Sequence, residues 1–203
     1  MTKRSESKTV KPDASAPSLA ILSADVLYKN AQQFISRGPS DMEDFVNYAV
    51  RNPGELIASA TNLALAIELY IKGNVLRLNV PAPKTHNLAE LFSALPIEIR
   101  GQVIIMYERL ASEIVIGKAS SVTLGVTRPE SSPQKFEPAA LTNDLISVLN
   151  RSSDAFVTWR YFFEFADQKT SKRLTYEFEK LSAIAKSLRA QCEVLLDGVL
   201  QKS

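Results

Sequence analysis

The helical spacing of apolar residues is the feature that most constrains the fold of this chain. Apolar side chains recur every three or four residues almost throughout, and the alternation typical of strands is confined to Ser121–Thr127. Glycine and proline interrupt the helical pattern at Arg37-Gly38-Pro39 and again between Asn79 and Lys84. The pattern therefore predicts an all-α protein.

Capping signals place several of the predicted helix ends. Asn52, Pro53 and Glu55 supply an N-cap, a proline at the first helical position and an acidic residue three positions after the cap. Asn87 and Glu90 repeat the spacing of cap and acid. The last predicted helix carries an apolar stripe that suits a bundle seam or a dimeric coiled coil. The predicted helices cover residues 18–35, 41–50, 53–78, 88–94, 96–116, 138–167 and 171–200.

Two segments lack the helical pattern. Residues 1–17 contain no apolar stretch and carry four basic and two acidic side chains, so we expect a disordered tail followed by one helical domain over residues 18–203. The segment 117–137 is rich in Ser, Thr, Pro and Gly and is longer than most loops of compact domains, which predicts a functional or mobile loop with room for a small hairpin.

The composition excludes several classes of protein. One histidine and one cysteine cannot form a Cys/His zinc site or an internal disulfide, and the phosphate-binding glycine motifs are missing, so we expect no metal and no cofactor. Without the tail the charges balance, at 20 basic and 20 acidic residues, so a nucleic-acid site would have to be local. No uninterrupted apolar run approaches the length of a membrane span, and we expect a cytoplasmic protein without a membrane anchor.

Two charged residues stand in apolar surroundings. Glu68 is the only charge between Glu55 and Lys72, and Arg160 lies within the aromatic segment 156–165. Because an isolated buried carboxylate is costly, Glu68 needs a partner. Lys72, one turn further on, is one candidate, and Arg160 is predicted to form a buried ion pair with Glu68 between two long helices. Such a pair would either fix helix packing or serve a function.

His86 and Tyr161 are further candidates for binding. His86 follows Lys84 at the start of a predicted helix, where free N–H groups and the helix dipole favour an anion; a cap-region histidine without a ligand is the alternative. Tyr161 is the best candidate for stacking a base, although aromatic residues at helical spacing more often belong to a core. Cys192 lies on the stripe of the last helix and is interpreted as a small core residue.

Three short motifs follow one another in this chain: Glu68-Leu69-Tyr70-Ile71-Lys72, Thr85-His86-Asn87-Leu88 and Trp159-Arg160-Tyr161-Phe162-Phe163-Glu164. Together they resemble the HEPN superfamily of helical domains, whose pattern is E-L-x-x-K, then T-H-[DN]-L, then W-R-Y-x-x-E. The resemblance implies an up-and-down bundle of four or five helices, often dimeric, found in toxin–antitoxin, phage-defence and RNA-processing systems or beside nucleotidyltransferases.

The ribonuclease branch of that family uses an R-x4-6-H motif, which this chain lacks. The nearest upstream arginine, Arg77, is separated from His86 by eight residues. We therefore predict no catalytic residues and a non-catalytic dimeric module that binds a nucleotide, RNA or a protein partner. The expected anion site consists of Lys72, Lys84, His86 and Asn87. The alternatives are a metal-independent ribonuclease with an atypical active site and a purely structural interaction module.

Overall fold

A computed structural model describes residues 15–39, 41–114, 122–126, 143–153, 155–161 and 172–200. These residues form a helical bundle with two short strands, which confirms the all-α class. The elements, in chain order, are α1 (Ser15–Arg37), α2 (Met42–Arg51), α3 (Pro53–Arg77), α4 (Leu88–Ser93), α5 (Ile97–Ser112), β1 (Val122–Val126), α6 (Leu145–Arg151), α7 (Ala155–Arg160), β2 (Lys172–Tyr176) and α8 (Phe178–Leu200).

Helix α3 forms the centre of the bundle, where it packs against α1, α7 and α8. Thirteen of its 25 residues are buried, in keeping with its apolar composition. Gly73 permits the close approach of α1, because a Cβ atom at this position would lie 2.7 Å from Cγ1 of Ile21. Its partners within the bundle therefore cover most of the apolar surface of α3.

By length and composition alone, α3 would be able to cross a membrane, although no uninterrupted apolar run is that long. Of the 18-residue window that meets this criterion, 56% is buried inside the protein. The core helix of a soluble protein meets the same criterion, and the packing of α3 against three helices is that of a core helix.

The starts of α2, α3 and α4 agree closely with the local signals, with one difference in the cap of α3. Asp41 caps α2 through hydrogen bonds from the backbone N–H groups of Glu43 and Asp44. Asn52 was predicted to cap α3, but its side-chain amide donates to the carbonyl oxygen of Tyr48 at 2.8 Å instead. Asn52 thus closes the end of α2, and α3 begins at Pro53 without a side-chain cap.

The two strands correct the predicted start of the last helix. β1 pairs antiparallel with β2, with Val122 opposite Tyr176. The partner strand of β1 therefore lies outside the segment 117–137, in which the sequence left room for a hairpin. The last helix begins at Phe178 rather than Ser171. Thr175 is exposed and Tyr176 is buried, which is the alternation of a strand. Backbone bonds to the distant β1 override the local helical pattern.

The helix predicted over 138–167 is instead two short helices in the part that the structure describes. α6 ends at Arg151 and α7 starts at Ala155. The carbonyl oxygen of Ser153, in the turn between them, accepts a hydrogen bond from the N–H of Leu88 at 2.9 Å. This contact ties the turn to the start of α4. Residues 138–142 and 162–167 lie outside the described part of the chain.

The tail boundary also shifts. Ser15, Ala16 and Pro17 belong to α1, so the helical domain begins three residues before the predicted position. Residues 1–14, and the segment 117–137 apart from β1, lie outside the described residues. The predictions of a disordered tail and of a functional or mobile loop therefore remain predictions for those residues.

Candidate functional site

Glu68 is the centre of a polar cluster on the central helix. Its side chain is 4% exposed, in keeping with its apolar surroundings in the sequence. The ammonium group of Lys72 donates to Oε1 at 2.7 Å, in the i,i+4 arrangement within α3. Nδ1 of His86 lies 2.9 Å from Oε2 and 3.2 Å from Oε1. Both carboxylate oxygens therefore have partners, and the penalty of burying the charge is offset.

The predicted ion pair between Glu68 and Arg160 is wrong. Arg160 is exposed at the last residue of α7. Its neighbour Trp159, by contrast, packs into the core. The carboxylate of Glu68 is occupied by a lysine one turn away and by a histidine just before α4, so it needs no arginine from α7.

Several N–H groups at the start of α4 on which the predicted anion site depended are already bonded. The N–H of Asn87 donates to Oγ1 of Thr85 at 3.1 Å, and the N–H of Glu90 donates to Oδ1 of Asn87 at 2.9 Å. The N–H of Leu88 donates to the carbonyl oxygen of Ser153. Asn87 is thus an N-cap residue, and the helix start was predicted to be uncapped at Leu88, which it is not.

His86 is oriented by the buried carboxylate. A carboxylate only accepts hydrogen bonds, so this contact places a hydrogen on Nδ1 of His86, and in the neutral form of the ring Nε2 is left as an acceptor. The side chain is 54% exposed. Its ring lies against the ring of Phe156 in α7, with centroids 5.3 Å apart and an angle of 34° between the planes. The histidine is therefore held in one orientation at the surface of the bundle.

Arg160 and Tyr161 extend this surface. The guanidinium carbon of Arg160 lies 5.8 Å from the ring centroid of Phe156 and 5.5 Å from that of Tyr161. Within the described part of the chain, Arg160 makes no ion pair and no hydrogen bond through its side chain. Tyr161 is 39% exposed. We call the set His86, Phe156, Arg160 and Tyr161 the aromatic–basic patch.

The predicted site residues thus fall into three groups. His86 and Tyr161 lie in the aromatic–basic patch. Lys72 contacts the same Glu68 carboxylate as His86, and that carboxylate neutralises the charge of Lys72. Lys84 is exposed two residues before His86. Phe156 was missed as a site residue, although its position four residues before Arg160 on a helix is the spacing at which an aromatic ring and a cation meet.

Metal-binding side chains and the thiol of Cys192 are the other reactive groups to place in the described part of the chain. No group of three or more His, Cys, Asp or Glu side chains suited to a metal is present among the described residues. Cys192 is fully buried, and burial raises the pKa of its thiol to about 12, so it stays protonated and is not a nucleophile near neutral pH.

Comparisons with protein-family models, with curated proteins and with solved structures found no match. The likeness to the HEPN pattern therefore depends on the three motifs alone. Residues of those motifs lie close together in the fold, because Glu68 contacts His86 and both His86 and Arg160 contact Phe156.

Proposed function

We propose that this chain is a non-catalytic binding module that takes a nucleotide or a short stretch of single-stranded RNA at the aromatic–basic patch. The observation that carries the proposal is the exposed guanidinium of Arg160, which lies near the rings of Phe156 and Tyr161, while the oriented imidazole of His86 lies against the same Phe156 ring. The similarity to HEPN domains supports the same class of function.

The chemistry of the patch suits both parts of a nucleotide. A guanidinium that is not engaged by a carboxylate can hold a phosphate through two parallel hydrogen bonds. The exposed ring of Tyr161 offers a face on which a base can stack, which contributes about 1 to 3 kcal/mol per base. Lys84 is exposed two residues before His86, and its positive charge would attract a phosphate in a way that salt screens.

Arg160→Ala is expected to weaken nucleotide and RNA binding at least about tenfold, because it removes a charge-assisted contact to phosphate. Since Arg160 is exposed, the free energy of unfolding should change by less than about 0.5 kcal/mol. Tyr161→Ala should weaken binding of a base-bearing ligand but not of inorganic phosphate. Fluorescence anisotropy with labelled RNA and a panel of nucleotides measures both effects.

Arg109→Gln is the matched control, because this arginine is exposed on α5 and makes no ion pair among the described residues. It should bind like the wild type. Equal affinity of the wild type and the Arg160→Ala, Tyr161→Ala double variant would contradict the proposed site. The absence of any binding at millimolar nucleotide would favour a structural module that recognises a protein partner.

A ribonuclease is the second candidate, and one observation favours it. The Glu68 carboxylate holds Nδ1–H of His86 so that the free Nε2 could accept a proton from a ribose hydroxyl. Because the R-x4-6-H motif is missing, we still expect no cleavage of mixed-sequence RNA in the presence of chelator. Gel electrophoresis tests this, with His86→Ala as the comparison. Cleavage by the wild type that is lost in His86→Ala would establish the enzyme.

A homodimer is proposed as the working form, with the contact on α1. The apolar surface of α3 is covered by its own bundle, whereas Leu19, Leu22 and Val26 form an exposed apolar stripe on α1. Light scattering should give a dimeric mass at micromolar concentration. Leu22→Glu should give a monomer, and Ile105→Glu, at an exposed apolar position on α5, should not. A monomeric wild type would overturn the dimer.

The cellular setting is proposed from the resemblance alone. HEPN domains occur in toxin–antitoxin and phage-defence systems, and we propose a cytoplasmic role of that kind for this module.

A further inference from the structure

A cavity of about 350 Å³ lies between α1, α3 and α8, and it shares no lining residue with the aromatic–basic patch. Its lining includes Tyr28 of α1, Tyr70 of α3, and Ala185 and Ala190 of α8. Its volume falls within the range of small-molecule pockets. The cavity is large enough for a small organic ligand, and its lining favours one with an apolar body.

Three of the four charged residues that line this cavity are paired with one another. Oδ1 of Asp25 accepts hydrogen bonds from the hydroxyl of Tyr70 and from Nε of Arg189, both at 2.7 Å. Nη1 of Arg189 lies 3.0 Å from Oε1 of Glu193. Burial and the neighbouring carboxylate of Asp25 raise the pKa of Tyr70, so its hydroxyl remains a neutral donor. This network occupies one side of the cavity and holds α1, α3 and α8 together.

Lys186 is the fourth charged residue, and it makes no ion pair or hydrogen bond through its side chain within the described part of the chain. It also lines a smaller cavity of about 230 Å³ between α5 and α8. That second cavity is lined by Glu113 and Glu179, whose charges would repel an anion. In the first cavity the two acidic residues, Asp25 and Glu193, are both paired with Arg189. The unpaired ammonium of Lys186 is therefore best placed to hold an anion at the first cavity.

We propose that the cavity between α1, α3 and α8 binds a small organic monocarboxylate, with its apolar body against Tyr28, Tyr70 and the two alanines and its carboxylate on Lys186. A charge-assisted hydrogen bond at the edge of an apolar cavity gives both affinity and orientation. This site is separate from the patch to which the proposed function refers.

Phenylacetate and its neutral analogue phenylacetamide test the proposal by calorimetric titration of the full chain. Phenylacetate is expected to bind at least about tenfold more tightly than phenylacetamide, and Lys186→Gln should remove that difference. Lys29→Gln, at an exposed lysine of α1, is the matched control and should bind like the wild type. Ala190→Phe fills the cavity and should abolish binding of both compounds.

Equal affinity for the two compounds, an unchanged affinity in Lys186→Gln, or no binding of phenylacetate at millimolar concentration would overturn the proposal. Lys186 is exposed, so this variant decides the question even if Ala190→Phe fails to fold. Because the two sites share no residue, Lys186→Gln should leave RNA binding unchanged and Arg160→Ala should leave phenylacetate binding unchanged. Failure of one proposal is thus distinguishable from failure of the other.

Discussion

Arg151→Met is expected to lower the free energy of unfolding by about 3 kcal/mol near neutral pH, because it leaves a buried carboxylate with too few partners. Nε and Nη2 of Arg151, at the end of α6, donate to the two oxygens of Glu177 at 3.0 and 3.1 Å. The side chain of Glu177 is only 5% exposed, and Lys180, at 2.7 Å, would be its remaining ionic partner among the described residues. Urea denaturation followed by circular dichroism measures the loss.

Arg109→Met provides the control, since this exposed arginine has no ion-pair partner in the described ranges, and its effect should stay within about 0.5 kcal/mol. A loss below about 1 kcal/mol for Arg151→Met would show that Lys180 alone satisfies Glu177.

The contribution of the pair Arg151 and Glu177 to the free energy of unfolding should depend on pH. Burial raises the pKa of Glu177, but hydrogen bonds from Arg151 and Lys180 outweigh it and hold the pKa below the ordinary value of 4.5. A carboxyl group whose pKa is lower in the folded state stabilises the protein above its unfolded pKa, and this stability is lost as the pH falls through the folded pKa. The difference between the wild type and Arg151→Met should therefore shrink from about pH 7 to about pH 3.

Lys72→Met is the second substitution with a large expected effect, again about 3 kcal/mol. It removes the closest partner of Glu68 and leaves the buried carboxylate with His86, whose side chain is half exposed. Glu68→Gln should cost less, because the ammonium of Lys72 is at the edge of the core and can reach water along its flexible side chain. Thermal and urea denaturation of the two single variants compare these costs.

The double variant Glu68→Gln, Lys72→Met separates pairing from packing. If the cost of Lys72→Met comes from the stranded carboxylate, the double variant should be more stable than Lys72→Met alone. A double variant in which the two single losses simply add would show that the lysine stabilises α3 through its packing and not through its charge.

The candidate site shows where the sequence was sufficient for prediction. The apolar residues around Glu68 indicated that its carboxylate would need a partner, and Lys72 was one of the two candidates considered. Arg160 was the wrong candidate. It is the last residue of a helix of only six residues, and apolar periodicity over so short a stretch does not show which face of the helix is buried. The contact of His86 with Glu68 could not be predicted from local sequence, because α3 ends between the two residues and the path of the chain after α3 is set by tertiary packing.

The sequence by itself determined the helical class and the positions of the helices that have strong local signals. The predicted helices over 41–50, 53–78 and 88–94 agree within one residue at each end with α2, α3 and α4. Capping bonds, proline at the first helical position and apolar spacing act within about four residues along the chain, so they can be read from the printed sequence.

Only the tertiary structure decided how distant segments pair. β2 was predicted as helix and became a strand because β1, far away in sequence, supplies its backbone partners. The turn between α6 and α7 accepts a bond from Leu88, and Glu177 takes its partner from α6. Each of these contacts depends on which groups the tertiary fold brings together, because a buried polar group bonds to a complementary group that packing places within reach.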